Sequence, residues 1–188
     1  VQGLEEQGKI KEALAGYQDF SKKNPTSDFN EKAVWNSMQL HYKLADYWNG
    51  ARLAEEFANR FASSPRAIDA LLKAAQSYEQ MGQLSEAAKV LQALSIKDLK
   101  SAARWKELAA DFHALDGEAA IARKIYVELR AQAPAEQKLK LLQKLEALEK
   151  SYGSAQTHAE VVKQMIDLNI QPFAAEAKVK SAEDLLER

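Results

Sequence analysis

The sequence predicts an all-α protein, an array of antiparallel helix pairs, on three observations. Glycine and proline are sparse, 7 and 4 in 188 residues, and they punctuate the chain rather than cluster. Between them lie segments rich in Ala, Leu, Glu, Lys and Gln, the residues with the best helix propensity, and no run alternates in the manner of a strand. Third, residues of unrelated classes recur at one spacing. The alanines Ala13, Ala51, Ala87, Ala122 and Ala159 are 38, 36, 35 and 37 apart, and Trp35, Leu71, Trp105 and Leu142 are 36, 34 and 37 apart. Such a shared period marks a repeat architecture.

The elements follow from that punctuation. Residues 1–7 read as the tail of a first helix, Gly8 as its turn, and 9–24 as its partner. The next pairs are 28–45 with 48–62, 66–81 with 84–97, 101–115 with 118–132, and 136–151 with 155–168. Turn glycines fall at Gly8, Gly82, Gly117 and Gly153, where a positive φ ends a helix within a few residues. Pro25, Pro65 and Pro134 separate successive pairs, since proline lacks an N–H and fixes φ. The small Ala87 and its counterparts mark where paired helices approach closely, with large residues filling the space alongside. A last helix starts after Pro172 and runs to Arg188, either a capping helix or half of a further repeat. The array starts in the middle of a pair, which reads as a piece of a longer chain.

The same residues resemble the tetratricopeptide repeat (TPR) family, whose pattern runs W-x₂-L-G-x₂-Y, then A-x₃-F, then P. Trp35-x₂-Met38-Gln39-x₂-Tyr42, Leu71-x₂-Ala74-Ala75-x₂-Tyr78 and Trp105-x₂-Leu108-Ala109-x₂-Phe112 carry the first helix of the pattern. Ala13-x₃-Tyr17, Ala87-x₃-Leu91 and Ala122-x₃-Tyr126 carry the second, from which Ala51-x₃-Glu55 and Ala159-x₃-Lys163 depart. The resemblance covers about 1–170, as some 4.5 pairs: 1–25 partial, 28–62, 66–97, 101–132 and 136–168, with 172–188 beyond them. It implies a right-handed superhelix, a TPR-like α-solenoid whose first helices line a concave groove. Phe20-x₄-Pro25-x-Ser27 and Phe61-x₃-Pro65, followed by Ala67 and Ala70, resemble joints of bacterial cell-envelope TPR proteins. Those are of the barrel-assembly lipoprotein or Tol–Pal coordinator type, and they point to a bacterial periplasm or envelope ahead of the cytoplasm.

Composition removes several function classes. Twenty-six basic against 27 acidic residues leave a net charge of -1, without the basic footprint of a nucleic-acid binder. No cysteine means no disulfide, thiolate zinc site or cysteine nucleophile, and no stretch approaches the ~18 apolar residues of a membrane helix. His41, His113 and His158 are scattered, Gly-rich phosphate loops are missing, and no cofactor is expected. Ser63, Ser64 and Ser101 read as helix caps, Tyr42 and Trp48 as core bulk, and His113 as solvated. Tyr47 reads as an exposed aromatic anchor.

The expectation is therefore a non-enzymatic scaffold that binds a peptide or helix of another protein. Groove positions implied by the family resemblance are Asn36, Leu40 and Lys43, then Leu72, Gln76 and Glu79. Lys106, Ala110 and His113 follow in the next repeat, and Gln143, Ala147 and Lys150 in the last. Lys43, Lys106 and Lys150 make this surface mildly basic, suited to a partner segment of some acidic character. Two alternatives stand beside it: repeats that dock or regulate an enzymatic domain elsewhere in a longer chain, and a structural array that associates weakly end to end. The scaffold itself is expected as a monomer or in such weak association.

Overall fold

Helix-forming segments of nearly constant length, each closed by a short turn, give the computed structural model its architecture. It describes residues 1–168, and the helix expected after Pro172 lies outside them. Ten α-helices occur among the described residues. They are α1 (Gln2–Glu6), α2 (Ile10–Lys23), α3 (Asn30–Lys43), α4 (Tyr47–Arg60), α5 (Ala67–Gln80), α6 (Leu84–Lys97), α7 (Ala102–Leu115), α8 (Ala119–Gln132), α9 (Ala135–Tyr152) and α10 (Ala155–Asp167). A 3₁₀ turn, Leu99–Ser101, precedes α7. None of the helices is long and apolar enough to cross a membrane.

The turn inside each of the first four pairs is one device used four times. The backbone N–H of Lys9, Asp46, Gln83 and Glu118 each donates to a carbonyl five residues back, on Leu4, His41, Tyr78 and His113. The residue before each donor bonds three residues back, to Glu5, Tyr42, Glu79 and Ala114. This double bond pattern is a Schellman motif, and it requires the left-handed conformation at the residue after the helix cap. That residue is Gly8 (φ 73°), Ala45 (φ 57°), Gly82 (φ 70°) and Gly117 (φ 82°). Ala45 is the exception in kind, since its Cβ makes this conformation costly. Gly153, expected as a fifth such turn, has φ −94°, and α9 ends there in extended backbone. It is small for another reason: a Cβ there would lie 2.6 Å from the Glu149 carbonyl and 2.7 Å from Thr157 Oγ1.

The joints between pairs repeat as well. Asn24, Phe61 and Asp98 close the second helices by bonding back to Phe20, Phe57 and Leu94. Ser27, Ser64 and Ser101 then donate backbone N–H bonds to the carbonyls of Asn24, Phe61 and Asp98. Ser27 and Ser64 also accept, through Oγ, the N–H of Phe29 and Arg66, and Ser64 donates to Glu31 Oε1 at 2.8 Å. These serines act within the joint, ahead of the helix start, and Ser101 sits in the 3₁₀ turn. Ser154 forms a full capping box with Thr157 at the start of α10.

The chain divides into two compact units, Val1–Trp105 and a second beginning at Lys106. In the first, α4 packs on α5 and α5 on α6, and Ala51, Ala54, Phe57, Ala58, Ala74, Ala87 and Leu91 are buried. Ala13, Tyr17, Ala33 and Leu40 form a smaller cluster near its start. In the second, Ala110, Ala122, Ile125, Tyr126, Leu141, Leu142, Leu145, Leu148 and Val161 make the core.

Candidate functional site

The left-handed residue gives a backbone origin from which equivalent positions can be counted. Counting back from Gly82 places Leu72, Gln76 and Glu79 on α5, and all three are partly or fully exposed. The same offsets from Ala45 fall on Trp35, Gln39 and Tyr42, each half-buried. From Gly117 they fall on Glu107, Asp111 and Ala114, again half-buried. The side-chain pattern had placed these sets one residue away, and burial shows the effect. Leu40 (3% exposed), Ala110 (0%) and His113 (3%) are core residues, with Leu40 and Ala110 inside the two apolar clusters. His113 is correspondingly not solvated; its Nδ1 lies 2.5 Å from Glu118 Oε2. Among the other expected groove residues, Asn36 is half-buried, and Lys43, Lys106, Gln143, Ala147 and Lys150 are exposed.

The small residue of the second pair shifts by the same step. Gly50 stands where Ala13, Ala87 and Ala122 stand, five residues beyond the left-handed residue. The Tyr42 ring fills the space, 2.8 Å from where a Cβ would be. Tyr47 is 41% exposed, and its ring lies 6.5 Å from that of Tyr42. Trp48 is 45% exposed rather than core, and meets Tyr78 edge-on at 5.6 Å.

In the first unit, the adjoining first helices α3 and α5 meet through rings and cations. Arg66 lies 5.1 Å over Trp35 and Lys73 lies 5.5 Å over Tyr42. Such contacts hold a cation near a ring without neutralising it. Neither Arg66, Lys73 nor Lys43 has an ion pair among the described residues. The face therefore presents rings, amides and unneutralised positive charge.

The second unit treats the equivalent surface differently. Lys144 lies 2.7 Å from Glu107 and 2.6 Å from Asp111, Lys140 lies 2.9 Å from Glu107, and Tyr126 donates to Asp111 at 2.7 Å. Burial alone would push Glu107 up, yet the two lysines hold its carboxyl below the usual range. Burial would lower Lys144, and its two carboxylates outweigh that and raise it. Burial and Asp111 push the Tyr126 phenol far up, so it stays a donor. This network satisfies its own charges. Sequence reasoning missed Trp35, Gln39, Glu107 and Asp111 as face residues; the signal that finds them is the turn position, hidden at Ala45 because no glycine marks it.

Comparison with known proteins bears on the repeat. A family model of the tetratricopeptide repeat matches residues 69–96. No curated protein matches the chain. Among solved structures, the TPR-like repeats of a putative kinesin light chain from Podosopora anserina are 14% identical, over 89% of this chain and 90% of that one, with a TM-score of 0.50. MamA from Desulfovibrio magneticus RS-1 is 17% identical, over 89% and 90%, at a TM-score of 0.46. BtubC from P. vanneervenii is 13% identical, over 90% and 75%, at 0.46. The described residues are all-helical with a TPR-like fold, and residues 69–96 match the tetratricopeptide repeat.

Proposed function

We propose that the chain is a non-enzymatic interaction scaffold that holds an extended peptide or a helix of another protein on the first-helix face of its repeats. The observation that carries this reading is the α3–α5 face, where Trp35, Gln39, Tyr42, Leu72, Gln76 and Glu79 are accessible beside cations without carboxylate partners. Half-exposed rings beside unneutralised charge favour a partner segment that is apolar and mildly acidic. The repeat at 69–96 supports the reading, because repeats of this kind serve protein–protein contact. A concave first-helix groove within each unit belongs to the same proposal, with Tyr47 contributing in the first and Lys106, Gln143 and Lys150 in the second. So does a place in a larger bacterial envelope or assembly protein, for which the Phe20 to Ser27 and Phe61 to Ala70 joints speak.

A pull-down from extract of the source cells tests it, with a Gln39→Glu/Gln76→Glu double variant as the comparison. Both residues are accessible and outside the core, so helicity is expected unchanged. A partner captured by the parent and lost by the variant supports the first-helix face. A partner kept by both moves the site elsewhere, and saturable turnover abolished by one side-chain change overturns the non-enzymatic reading.

A further inference from the structure

The outer side of the first unit carries a recess that the first-helix face does not use. It lies between α2 and α4, the second helices of successive pairs, and α3 forms its floor. Two adjoining cavities of about 370 and 430 Å³ compose it, sharing Gln18, Leu53 and Glu56. Volumes of this size accommodate a ligand segment.

The walls are short of acceptors. Glu56 is the one carboxylate lining either cavity, against Lys22, Arg52 and Arg60. Arg52 has no ion pair or hydrogen bond among the described residues. Arg60 reaches Ser21 Oγ and the Pro25 carbonyl only at 3.4 Å and Glu56 at 3.8 Å, so its guanidinium is loosely held. His41 and Asn49 are already committed to Asp46, at 2.8 and 2.9 Å. The stretch of α4 from Asn49 to Arg60 is about 16 Å long at 1.5 Å per residue, the reach of about five extended residues.

We propose that this recess docks an extended acidic segment of another protein, its carboxylates paired with Arg52 and Arg60. The site is separate from the first-helix face, and either can fail without the other. The test uses a fluorescein-labelled peptide of about ten alternating glutamates and alanines, read by anisotropy against the full chain. Saturable binding is expected, weakened at least about tenfold by Arg52→Glu. Arg52 is exposed, so an unchanged urea midpoint of Arg52→Glu separates lost docking from lost folding. Lys124→Glu, at an exposed cation on α8 outside both sites, is expected to leave the affinity unchanged. The proposal is overturned if the peptide does not saturate, or if the matching lysine–alanine peptide binds as well. It is also overturned if Lys43→Glu weakens binding while Arg52→Glu does not, which would place acidic segments on the first-helix face.

Discussion

Ala45 is the one non-glycine residue with positive φ among the described residues, and replacing it isolates the turn from everything else. Its three counterparts are glycines at φ between 70° and 82°, and all four turns make the same pair of backbone bonds. An L-residue in this region costs about 1–2 kcal/mol. Glycine removes that cost but returns about 0.4–1 kcal/mol of conformational freedom to the unfolded chain. Ala45→Gly is therefore expected to stabilise by about 0.5–1 kcal/mol, or about 2–6 °C in a unit of this size. Gly82→Ala is its mirror image: an added Cβ there meets nothing within 4 Å, so only the backbone term acts. It should destabilise by a similar amount. Urea unfolding followed by circular dichroism at 222 nm gives both midpoints, and an unchanged slope shows that neither substitution alters the surface exposed. If Ala45→Gly lowers the midpoint, or Gly82→Ala raises it, the turn reasoning is wrong.

Other substitutions probe the packing and the charge network. Gly50→Ala should destabilise by about 1 kcal/mol, because overpacking against the Tyr42 ring costs about 1–3 kcal/mol and better helix propensity returns about 1; an equal or higher urea midpoint would mean the ring moves aside freely. Ala87→Leu, at a fully buried position, should cost about 1–3 kcal/mol by the same measurement, whereas an unchanged midpoint would refute close approach there. Leu40→Ser should cost about 2–5 kcal/mol through its core cluster, while Gln39→Ser one residue away should stay within about 0.5 kcal/mol. Glu107 and Glu149 are both held below the usual carboxylate range, Glu107 by its lysines against burial and Glu149 by Arg123. A depressed carboxylate stabilises the fold above its unfolded value of about 4.3, and that contribution is lost as pH falls from there through the folded value. The thermal midpoint should therefore drop between about pH 5 and pH 2, and Glu107→Gln should flatten that drop.

The helical class was legible because it rests on quantities summed over many residues, namely propensity, punctuation and a shared period. The face was not, because it depends on register, and a register read from side chains slips where neighbours can exchange roles. At the second pair no glycine marks the turn. The first-helix pattern aligned Trp35 with Leu71, whereas the turn count aligns Val34 with it, so every position on α3 moved by one, as Ala51 did against Gly50. At the fourth pair the joint from α6 to α7 is two residues shorter than the joint from α4 to α5. Trp105 is bound to that joint, its indole donating to Asp98 at 3.0 Å, and so it stands one place before Lys106, which the turn count makes the equivalent of Leu71. A pattern search rewards the tryptophan wherever it falls within a turn of the helix. Volume-conserving exchanges of this kind are cheap in a packed array, whereas the left-handed residue of a Schellman turn cannot move without breaking two backbone bonds. Register in such a repeat is better counted from that residue than from the bulky ones, and counted so, the candidate face passes from Leu40, Ala110 and His113 to Gln39, Asp111 and Ala114.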